Sequence, residues 1–547
     1  MGRAHHRPWP LPSGGEENVV KRHGLRRFYV VGEGVYGEAK SGSVDGKKLV
    51  PAKAADAAGG APDATFRFSR MGPPGAAGAQ LSGPTREHLA ELMTVGDKKF
   101  SRIPAGFTYL GQFIDHDLTM DKTGKPLGEN ESPITMVQGR SPALDLDSLY
   151  GKGPNDPNSE VFYQADLLHL KAGGSDADPN DGFDLPRAGA TPSSAVIPDP
   201  RNDENLAVAQ THLAFIRFHN RVVDTLPSTT PAAVKFMRAR KIVTRHYQWM
   251  IKTDFLPRIC DPDVVKDVFT NGRKVFEVGV APTDIPTMPI EFSVAAYRLG
   301  HSMVRAAYNW NINFDNGEGT LKALFEFSGT SGSLGGDFPL PSIWIADFRR
   351  LYNFGQAGRK DLVVPAAKFN RAMRMDAMLS NPLAKLPQET IGPPKVPMKD
   401  PRHDLAFRNL TRAKMVNLAT GQQMVQFLKS KGVNVKALTD AQIRQGSGDG
   451  VSLAGLSQTE RDAVVARTPL WFYVLREAEL NGGQLAGVGA RIVAETFHRA
   501  MEGSATSIVR DPTFKPTLGP NATTFRMVDL LLFAFDGKKK LLNPNGG

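Results

Sequence analysis

Cysteine is almost absent from this sequence, because Cys260 is the only one among 547 residues. A chain with one cysteine forms no intrachain disulfide, which excludes the disulfide-stapled domains of many secreted proteins. Also missing is an apolar run near the roughly 18 residues that a membrane-spanning helix requires. The segment Met1–Phe28 has basic residues but no apolar stretch followed by a cleavage site, so classical secretion is not expected. The location stays open between the cytoplasm and export by a signal-less route.

The sequence also lacks internal repeats and a concentrated basic segment. No period of roughly 20 to 50 residues recurs, which excludes solenoids and propellers. The formal charge of +11 favours anionic partners at long range, but Lys and Arg are spread along the chain. The late basic run Lys538–Lys540 is short and has no interleaved aromatic residues. A solvated basic surface is therefore expected rather than nucleic-acid binding, and the oligomeric state is left open.

The residues that are plentiful predict a large helical protein with long loops. Hydrophobic residues make up 41% of the chain, alongside 54 glycines and 40 prolines. The predicted fold class is mainly α, with residues 1–80 as an extended, partly irregular arm and 81–540 as one large domain with few short strands. Apolar recurrence at three and four positions predicts helices over 107–118, 205–226, 230–255, 290–306, 418–430 and 486–502. Pro- and Gly-rich composition predicts loops over 120–200 and 350–405.

Four polar side chains stand together on the first of these helices. Gln112 and His116 are four residues apart and project from one face, while Asp115 and Asp117 flank the histidine. A lone histidine on an apolar helix is usually a hydrogen-bonded core residue. Two flanking carboxylates favour instead a raised pKa of the imidazole, a metal site or a point of attachment.

The segment 141–151 alternates residues that carry oxygen atoms. Ser141, Asp145 and Asp147, together with the backbone carbonyl of Ala143, could surround a hard cation. Taken alone, these residues are explained more simply by an Asp-rich turn, and the cation site is kept as the alternative.

Charged residues also mark two other predicted helices. Arg201 and Glu204 precede the helix predicted over 205–226, where an acidic residue could merely complement the helix dipole. Arg298 and His301 are three residues apart and lie on roughly one side of the helix predicted over 290–306. Each pair is consistent with a site, and neither defines one alone.

These motifs, in this order, resemble those of the animal-type haem peroxidases, the myeloperoxidase- and lactoperoxidase-like members of the peroxidase–cyclooxygenase superfamily. The family's distal-helix signature, Gln-x-x-Asp-His-Asp, matches residues 112–117, and its proximal Arg-x-Gly-His pattern matches residues 298–301. The likeness extends over roughly residues 80–505. The missing signal peptide and disulfides fit a bacterial branch of the family.

The resemblance implies catalytic roles for three residues. His116 would be the distal base that moves a proton between the two oxygens of hydrogen peroxide. Arg201 would stabilise the negative charge that develops as the O–O bond breaks, and Gln112 would lie near the halide and water site.

The resemblance also implies haem b as cofactor and Ca²⁺ as a structural ion. The expected haem contacts are the axial iron ligand His301, its hydrogen-bond partner Asn409, the ester-forming Asp115 and Glu204, the propionate-binding Arg298, and Arg412 of the Asn-x-x-Arg motif. The expected calcium ligands are Asp117, Ser141, Ala143, Asp145 and Asp147.

Two stretches depart from the family pattern. Asn205 occupies the position of the methionine that forms a sulfonium link in myeloperoxidase, so that link and chloride oxidation are not expected. Residues 413–416 replace the Arg-Asp-His-Gly that usually follows the position of Arg412. His212 and His219, seven residues apart, are interpreted as helix-packing residues rather than as metal ligands.

The expected function is reduction of hydrogen peroxide through a ferryl intermediate, with oxidation of phenols, thiocyanate, iodide or bromide. One alternative is a haem-dependent fatty-acid dioxygenase, which needs a tyrosine three residues before the proximal histidine, where this chain has Arg298. Tyr297 lies about 100° further round a regular helix and is expected to miss the pocket unless that helix is irregular. The other alternative is a non-catalytic protein with the peroxidase fold, which would have no use for this set of residues.

Overall fold

The computed structural model describes residues 66–96, 98–187, 195–329, 339–391 and 396–547, with the backbone of four short strands before them. These residues form a mainly α structure, as the sequence predicts. The helices of eight or more residues are Gly83–Met93, Gly106–Leu118, Leu206–Thr225, Ala232–Met250, Pro262–Asn271, Leu405–Met415, Gly421–Ser430, Gln458–Ala466, Leu470–Leu480, Gly487–Glu502 and Met527–Ala534. Within the described ranges, no helix is both long and apolar enough to cross a membrane.

The strands are short and are paired in twos. The pairs are Phe28–Val30 with Gly34–Tyr36, Ser43–Val44 with Lys47–Lys48, Phe68–Ser69 with Met288–Pro289, Phe100–Pro104 with Arg371–Met373, and Ala307–Tyr308 with Gly319–Thr320. The prediction of few short strands is confirmed. Apart from the first four strands, the predicted arm lies outside the described residues as far as residue 65.

Five of the six helices predicted from apolar periodicity are present as continuous helices. Local chemistry explains several of their ends: the Asn205 side chain accepts a hydrogen bond from the backbone of Val208 and so begins helix Leu206–Thr225. Helix Gly421–Ser430 begins at a capping box formed by Thr420 and Gln423. Helix Ala232–Met250 continues as the π-helical turn Ile251–Phe255, which together span the predicted range.

The sixth segment, predicted as one helix over 290–306, is irregular. A π-helical turn, Glu291–Ala295, is followed by a 3₁₀ turn, Ala296–Leu299, and a single α-helical turn, Gly300–Met303. Changes of helix type rotate side chains away from the directions of a regular helix. We call residues 291–303 the proximal segment.

Helix Gly106–Leu118, the distal helix, lies in the centre of the core with nearly all of its residues buried. Its Phe113 ring stacks on Phe215 of helix Leu206–Thr225, with centroids 4.4 Å apart. Its first residue must be glycine, because a Cβ at Gly106 would lie 2.3 Å from the ring of Tyr352. This packing fixes the distal helix next to the start of helix Leu206–Thr225.

Candidate active site

A slot-shaped cavity lies between the distal helix and the proximal segment. Its volume is about 40 Å³. Its lining includes Gln112 and Asp115 of the distal helix and Arg298 and His301 of the proximal segment. The fold thus brings together four residues that the sequence analysis selected from two distant motifs.

His116 is held through its Nδ1 atom. Nδ1 lies 2.9 Å from Asn202 Oδ1, and Asn202 Nδ2 lies 2.9 Å from Nδ1 of His212. A carboxamide oxygen accepts and its nitrogen donates, so His116 carries its proton on Nδ1 and His212 carries its proton on Nε2. Burial lowers the pKa of His212 to about 3, which keeps that ring neutral. In the neutral ring, the lone pair of His116 is therefore on Nε2, which lies 3.4 Å from Glu204 Oε1.

The side chains around His116 Nε2 form a second group of contacts. Gln112 Nε2 donates to Glu204 Oε1, and Asn205 Nδ2 donates to Gln112 Oε1 at 3.0 Å. His116 Nε2 and Glu204 Oε2 are buried and have no hydrogen-bond partner among the described residues. Buried polar atoms nearly always have a partner, so these two atoms fit a bound group or reactant that is not part of the protein.

Arg201 is fixed as a permanent cation beside the distal helix. It forms two hydrogen bonds to Asp199, at 3.0 and 2.7 Å, and donates to the backbone carbonyl of His116 at 3.0 Å. Burial by itself would lower the pKa of Arg201, but the charge of Asp199 outweighs it and the pKa is raised. Burial also opposes ionisation of Asp199, yet Arg140 and Arg201 together hold its pKa well below the usual range. Both groups are ionised at neutral pH.

Asp115 faces the cavity as a carboxyl group of reduced acidity. Burial raises its pKa above the usual value, although neighbouring His116 and Arg201 oppose the shift. One carboxyl oxygen, Oδ1, accepts a hydrogen bond from Thr119 at 3.2 Å. The position and burial of Asp115 fit a carboxyl group that contacts a bound cofactor.

The predicted calcium residues are brought together in part. Asp117 Oδ1 accepts from the backbone and side chain of Ser148, and burial followed by the nearby charge of Asp147 raises the pKa of Asp117. Asp147 accepts from the backbone of Ser141, but its Oδ1 is buried without a hydrogen-bond partner in the described residues. Asp145 points elsewhere, because its Oδ1 accepts from Ser504 at 2.6 Å.

No group of three or more His, Cys, Asp and Glu side chains in the described ranges has a metal-holding arrangement. The predicted calcium set contains a serine hydroxyl and a backbone carbonyl in addition to carboxylates. Of the predicted carboxylates, Asp117 is buried and Asp147 is partly buried, with its Oδ1 atom buried.

On the proximal side, His301 Nδ1 lies 2.8 Å from Asn409 Nδ2, and Arg298 donates to Asn409 Oδ1 at 2.5 Å. The predicted pairing of His301 with Asn409 is present. The expected direction of the hydrogen bond is not, because Asn409 donates where an acceptor was predicted. An imidazole that binds iron through Nε2 needs an acceptor at Nδ1. A half turn of the Asn409 carboxamide would present Oδ1 to Nδ1 of His301 instead.

Two other expectations differ from the structure. Arg412 is absent from the residues that line the cavity and forms ion pairs with Asp121 and Glu131. The lining also lacks His116, Arg201, Glu204 and Asn409. Tyr297, which was expected to miss the pocket, lines it, and its hydroxyl donates to the carbonyl of Gly111 at 3.2 Å. The reason is the 3₁₀ turn that carries Tyr297, which does not follow the geometry of a regular helix.

Sequence reasoning missed the residues that support the distal side. Asn202 and Asp199 flank Arg201 but belong to no recognised spacing pattern, and His212 was assigned to helix packing. The sequence does show three polar residues before an apolar helix and a histidine ten residues after Asn202. These features do not reveal that Asn202 contacts His116, because His116 lies on the distal helix.

Comparison with known proteins places these residues in a wider context. The family model for animal haem peroxidase matches residues 120–326. Thyroid peroxidase of Mus musculus is 30% identical over 190 residues, which is 32% of this chain and 20% of that protein. Chorion peroxidase of Drosophila melanogaster is 29% identical over 172 residues, which is 29% of this chain and 21% of that protein. The matches thus span about a fifth of the length of these relatives.

Solved structures share the fold over a longer range. Peroxidase A from Dictyostelium discoideum matches with a TM-score of 0.57 and 13% identity, covering 88% of this chain and 94% of the other. The fatty acid alpha-dioxygenase of Oryza sativa matches with a TM-score of 0.51 and 13% identity, covering 86% and 78%. The family match includes Arg201, Glu204, Arg298 and His301, while the distal helix lies before it and Asn409 after it.

Proposed function

We propose that this chain is a haem-dependent peroxidase of the animal haem peroxidase family, whose model matches residues 120–326. It would reduce hydrogen peroxide and oxidise small reductants such as phenols, thiocyanate, iodide or bromide. One observation carries the proposal. A single slot joins Gln112 and Asp115 to Arg298 and His301, beside a histidine whose unpartnered Nε2 has the free lone pair of a base.

The residues that would hold haem come from both sides of the slot. Haem, when bound there, supplies the redox chemistry. His301 would provide a nitrogen ligand to the iron, and Asn409 Oδ1 would accept a hydrogen bond from its Nδ1–H, which requires the half turn of the carboxamide described above. Arg298 lines the slot and would neutralise a propionate, which also frees Asn409 to turn.

The distal residues would handle protons and charge. His116 would take a proton from hydrogen peroxide at Nε2 and return it to the departing oxygen, because Asn202 keeps the other ring nitrogen protonated. Arg201 would place a fixed positive charge near that oxygen, since Asp199 and the His116 carbonyl hold its guanidinium still. Gln112 would orient the reactant through its amide.

Two finer features belong to the same proposal. Asp115 and Glu204 would form ester links to the haem, which is supported by the cavity position of Asp115 and the unpartnered Oε2 of Glu204. Calcium would bind between Asp117 and Asp147, supported by the burial of Asp117 and by the buried, unpartnered Oδ1 atom of Asp147. Bound calcium would hold the residue next to His116 and take no part in redox chemistry.

An optical spectrum of the purified, haem-loaded full chain tests the proposal. We expect a Soret band that shifts when hydrogen peroxide is added and that resists extraction with acidified organic solvent. A band that extracts cleanly contradicts the ester links but not the peroxidase. Absence of any Soret band after haem supplementation contradicts the proposed function and favours a non-catalytic protein with this fold.

A second candidate function is a haem-dependent fatty-acid dioxygenase, favoured by the position of Tyr297. Its hydroxyl lies at the cavity wall, although the residue is four positions before His301 rather than three. Oxygen uptake with linoleate, measured for the wild type and for Tyr297→Phe, separates the two functions. Uptake that depends on Tyr297 supports the dioxygenase. Turnover of phenols or iodide with peroxide, unchanged in Tyr297→Phe, supports the peroxidase.

A further inference from the structure

A buried ion pair lies directly behind the proximal segment. Lys98 Nζ is 2.6 Å from Asp376 Oδ1, and both side chains are 2% exposed. Lysine is rarely buried to this degree, because its desolvation is costly unless the charge is paired and hydrogen-bonded. Lys98 meets that condition, since it also donates to the backbone carbonyls of Arg374 and Met378 at 3.0 and 2.5 Å. Lys98 Nζ thus contacts three residues of the segment 374–378.

The ion pair reaches the proximal segment through Ser302. Lys98 donates to Ser302 Oγ at 3.1 Å, the backbone of Asp376 donates to the same oxygen at 3.0 Å, and the hydroxyl donates to the carbonyl of Asp376 at 2.7 Å. Ser302 immediately follows His301 and is fully buried. Three hydrogen bonds therefore fix the backbone position next to the predicted iron ligand.

The local backbone cannot supply this rigidity alone. The α-helical turn Gly300–Met303 has four residues and follows a 3₁₀ turn, so it has few helical hydrogen bonds of its own. Asn409 restrains the imidazole ring of His301 from one direction. The contacts of Ser302 restrain the main chain from the other.

Stability alone does not account for a pair of this kind. Replacing a buried ion pair by well-packed apolar side chains is often neutral or stabilising, whereas removing one partner strands the other charge. Lys98 and Asp376 are also hydrogen-bonded to Ser302, the residue next to the predicted ligand His301. A purely structural ion pair would need no such connection.

We propose that Lys98 and Asp376 are positioning residues that set the orientation of His301 through Ser302. The proposal rests on the proposed function, because it assigns to His301 the axial position on haem. It extends that function to three residues outside the cavity lining. The orientation of His301 determines the strain and strength of the bond between its Nε2 and the iron, which is a measurable property of the ligand itself.

The test uses the haem-loaded full chain in its reduced state and measures the iron–histidine stretching band by resonance Raman spectroscopy, with thermal unfolding in parallel. Ser302→Ala removes one hydroxyl and is expected to shift or broaden the band with little loss of Tm. Lys98→Met is expected to change the band and also to lower Tm. Asp376 also pairs with Arg374 through Oδ2 at 3.0 Å, so Lys98→Met removes the cation from one carboxylate oxygen only. Combining Lys98→Met with Asp376→Leu removes that carboxylate, so we expect part of the Tm loss to recover while the band stays altered.

Arg349→Met is the matched control. Arg349 is 5% exposed and pairs with buried Asp347, and its described contacts include neither the cavity nor Ser302. The Arg349→Met variant should have a lower Tm and an unchanged iron–histidine band. A wild-type band in folded Ser302→Ala and in the double variant overturns the positioning role, as does an equal shift in Arg349→Met. Absence of an iron–histidine band in the wild type overturns the proposed function itself, which distinguishes the two failures.

Discussion

Asn202 lies between two buried histidines, and its carboxamide decides which ring nitrogen of each one carries a proton. Asp115, the residue before His116, lines the cavity, but the motif that contains both residues does not indicate the tautomer of His116. The tautomer depends on tertiary packing, because Asn202 and His212 come close to His116 only when helix Leu206–Thr225 packs on the distal helix. The chemistry of one residue thus depends on a contact between two elements.

We expect His116→Ala to slow the reaction of the haem-loaded protein with hydrogen peroxide by about 10²- to 10⁴-fold while haem stays bound. Asn202→Leu should slow it by a smaller factor, because the ring can then protonate at Nε2 and lose its free lone pair. Stopped-flow absorbance of the Soret band measures both rates.

The control for these variants is His219→Gln. His219 is a buried histidine on helix Leu206–Thr225, the helix that also carries His212, and its partners are Tyr150 and the carbonyl of Leu168. It should lose stability and keep the wild-type rate. A wild-type rate in Asn202→Leu would show that the tautomer is fixed by other contacts.

Two elements meet where the distal helix ends and the loop 141–151 begins. The loop is attached through Asp117, which accepts hydrogen bonds from Leu146 and Ser148, and burial raises the pKa of both Asp117 and Asp147. Two buried carboxylates at close range are unfavourable unless a proton or a cation lies between them. Calcium would relieve that cost and join the two elements.

We therefore expect calcium to raise the Tm of chelator-treated protein. At a hundredfold excess of calcium over its Kd the stabilisation would be about 2.7 kcal/mol, measured by calorimetry with and without calcium. Asp147→Asn should abolish the response, whereas Asp166→Asn, at a partly exposed loop aspartate, should retain it. An equal Tm with calcium and with chelator would exclude a calcium site between these elements.

The proximal segment shows where periodicity fails as a guide to an element. Apolar spacing located the segment but could not reveal its change from π-helical to 3₁₀ to α-helical turns. Contacts from distant parts of the chain accompany the irregularity: Glu291 accepts hydrogen bonds from the backbone of Met71 and Gly72, and Trp471 donates to the carbonyl of Arg298. This irregularity is what brings Tyr297 to the cavity wall.

At the scale of the whole molecule, buried carboxyl groups couple the fold to pH. Glu477 accepts hydrogen bonds from the backbone of Val488 and Gly489, at the start of the long helix Gly487–Glu502. Burial raises the pKa of Glu477 to about 8 from a usual value of 4.5. Between these values the folded chain keeps a proton that the unfolded chain has lost, so stability contributed by the protonated form falls as pH rises.

We expect Glu477→Gln to reduce the pH dependence of stability between pH 5 and about 8, because glutamine resembles the protonated acid and does not titrate. One linked proton contributes at most about 1.4 kcal/mol per pH unit. Chemical unfolding at several pH values measures the slope. Asp361→Asn, at a solvent-exposed residue, should leave the slope in this range unchanged, and an unchanged slope in Glu477→Gln would show that Glu477 titrates normally in the folded chain.

The sequence alone predicts the class of fold, five of the helices and four of the residues that line the cavity. Apolar periodicity and motif spacing are local properties, so they are visible without a structure. Only the tertiary structure decided the tautomer of His116, the direction of the Asn409 hydrogen bond, the partners of Arg412 and the place of Tyr297. Each of these depends on side chains that are far apart in sequence, and burial removes the water that would otherwise satisfy them. The chain packing therefore selects which polar atoms are paired and which are left for a bound group.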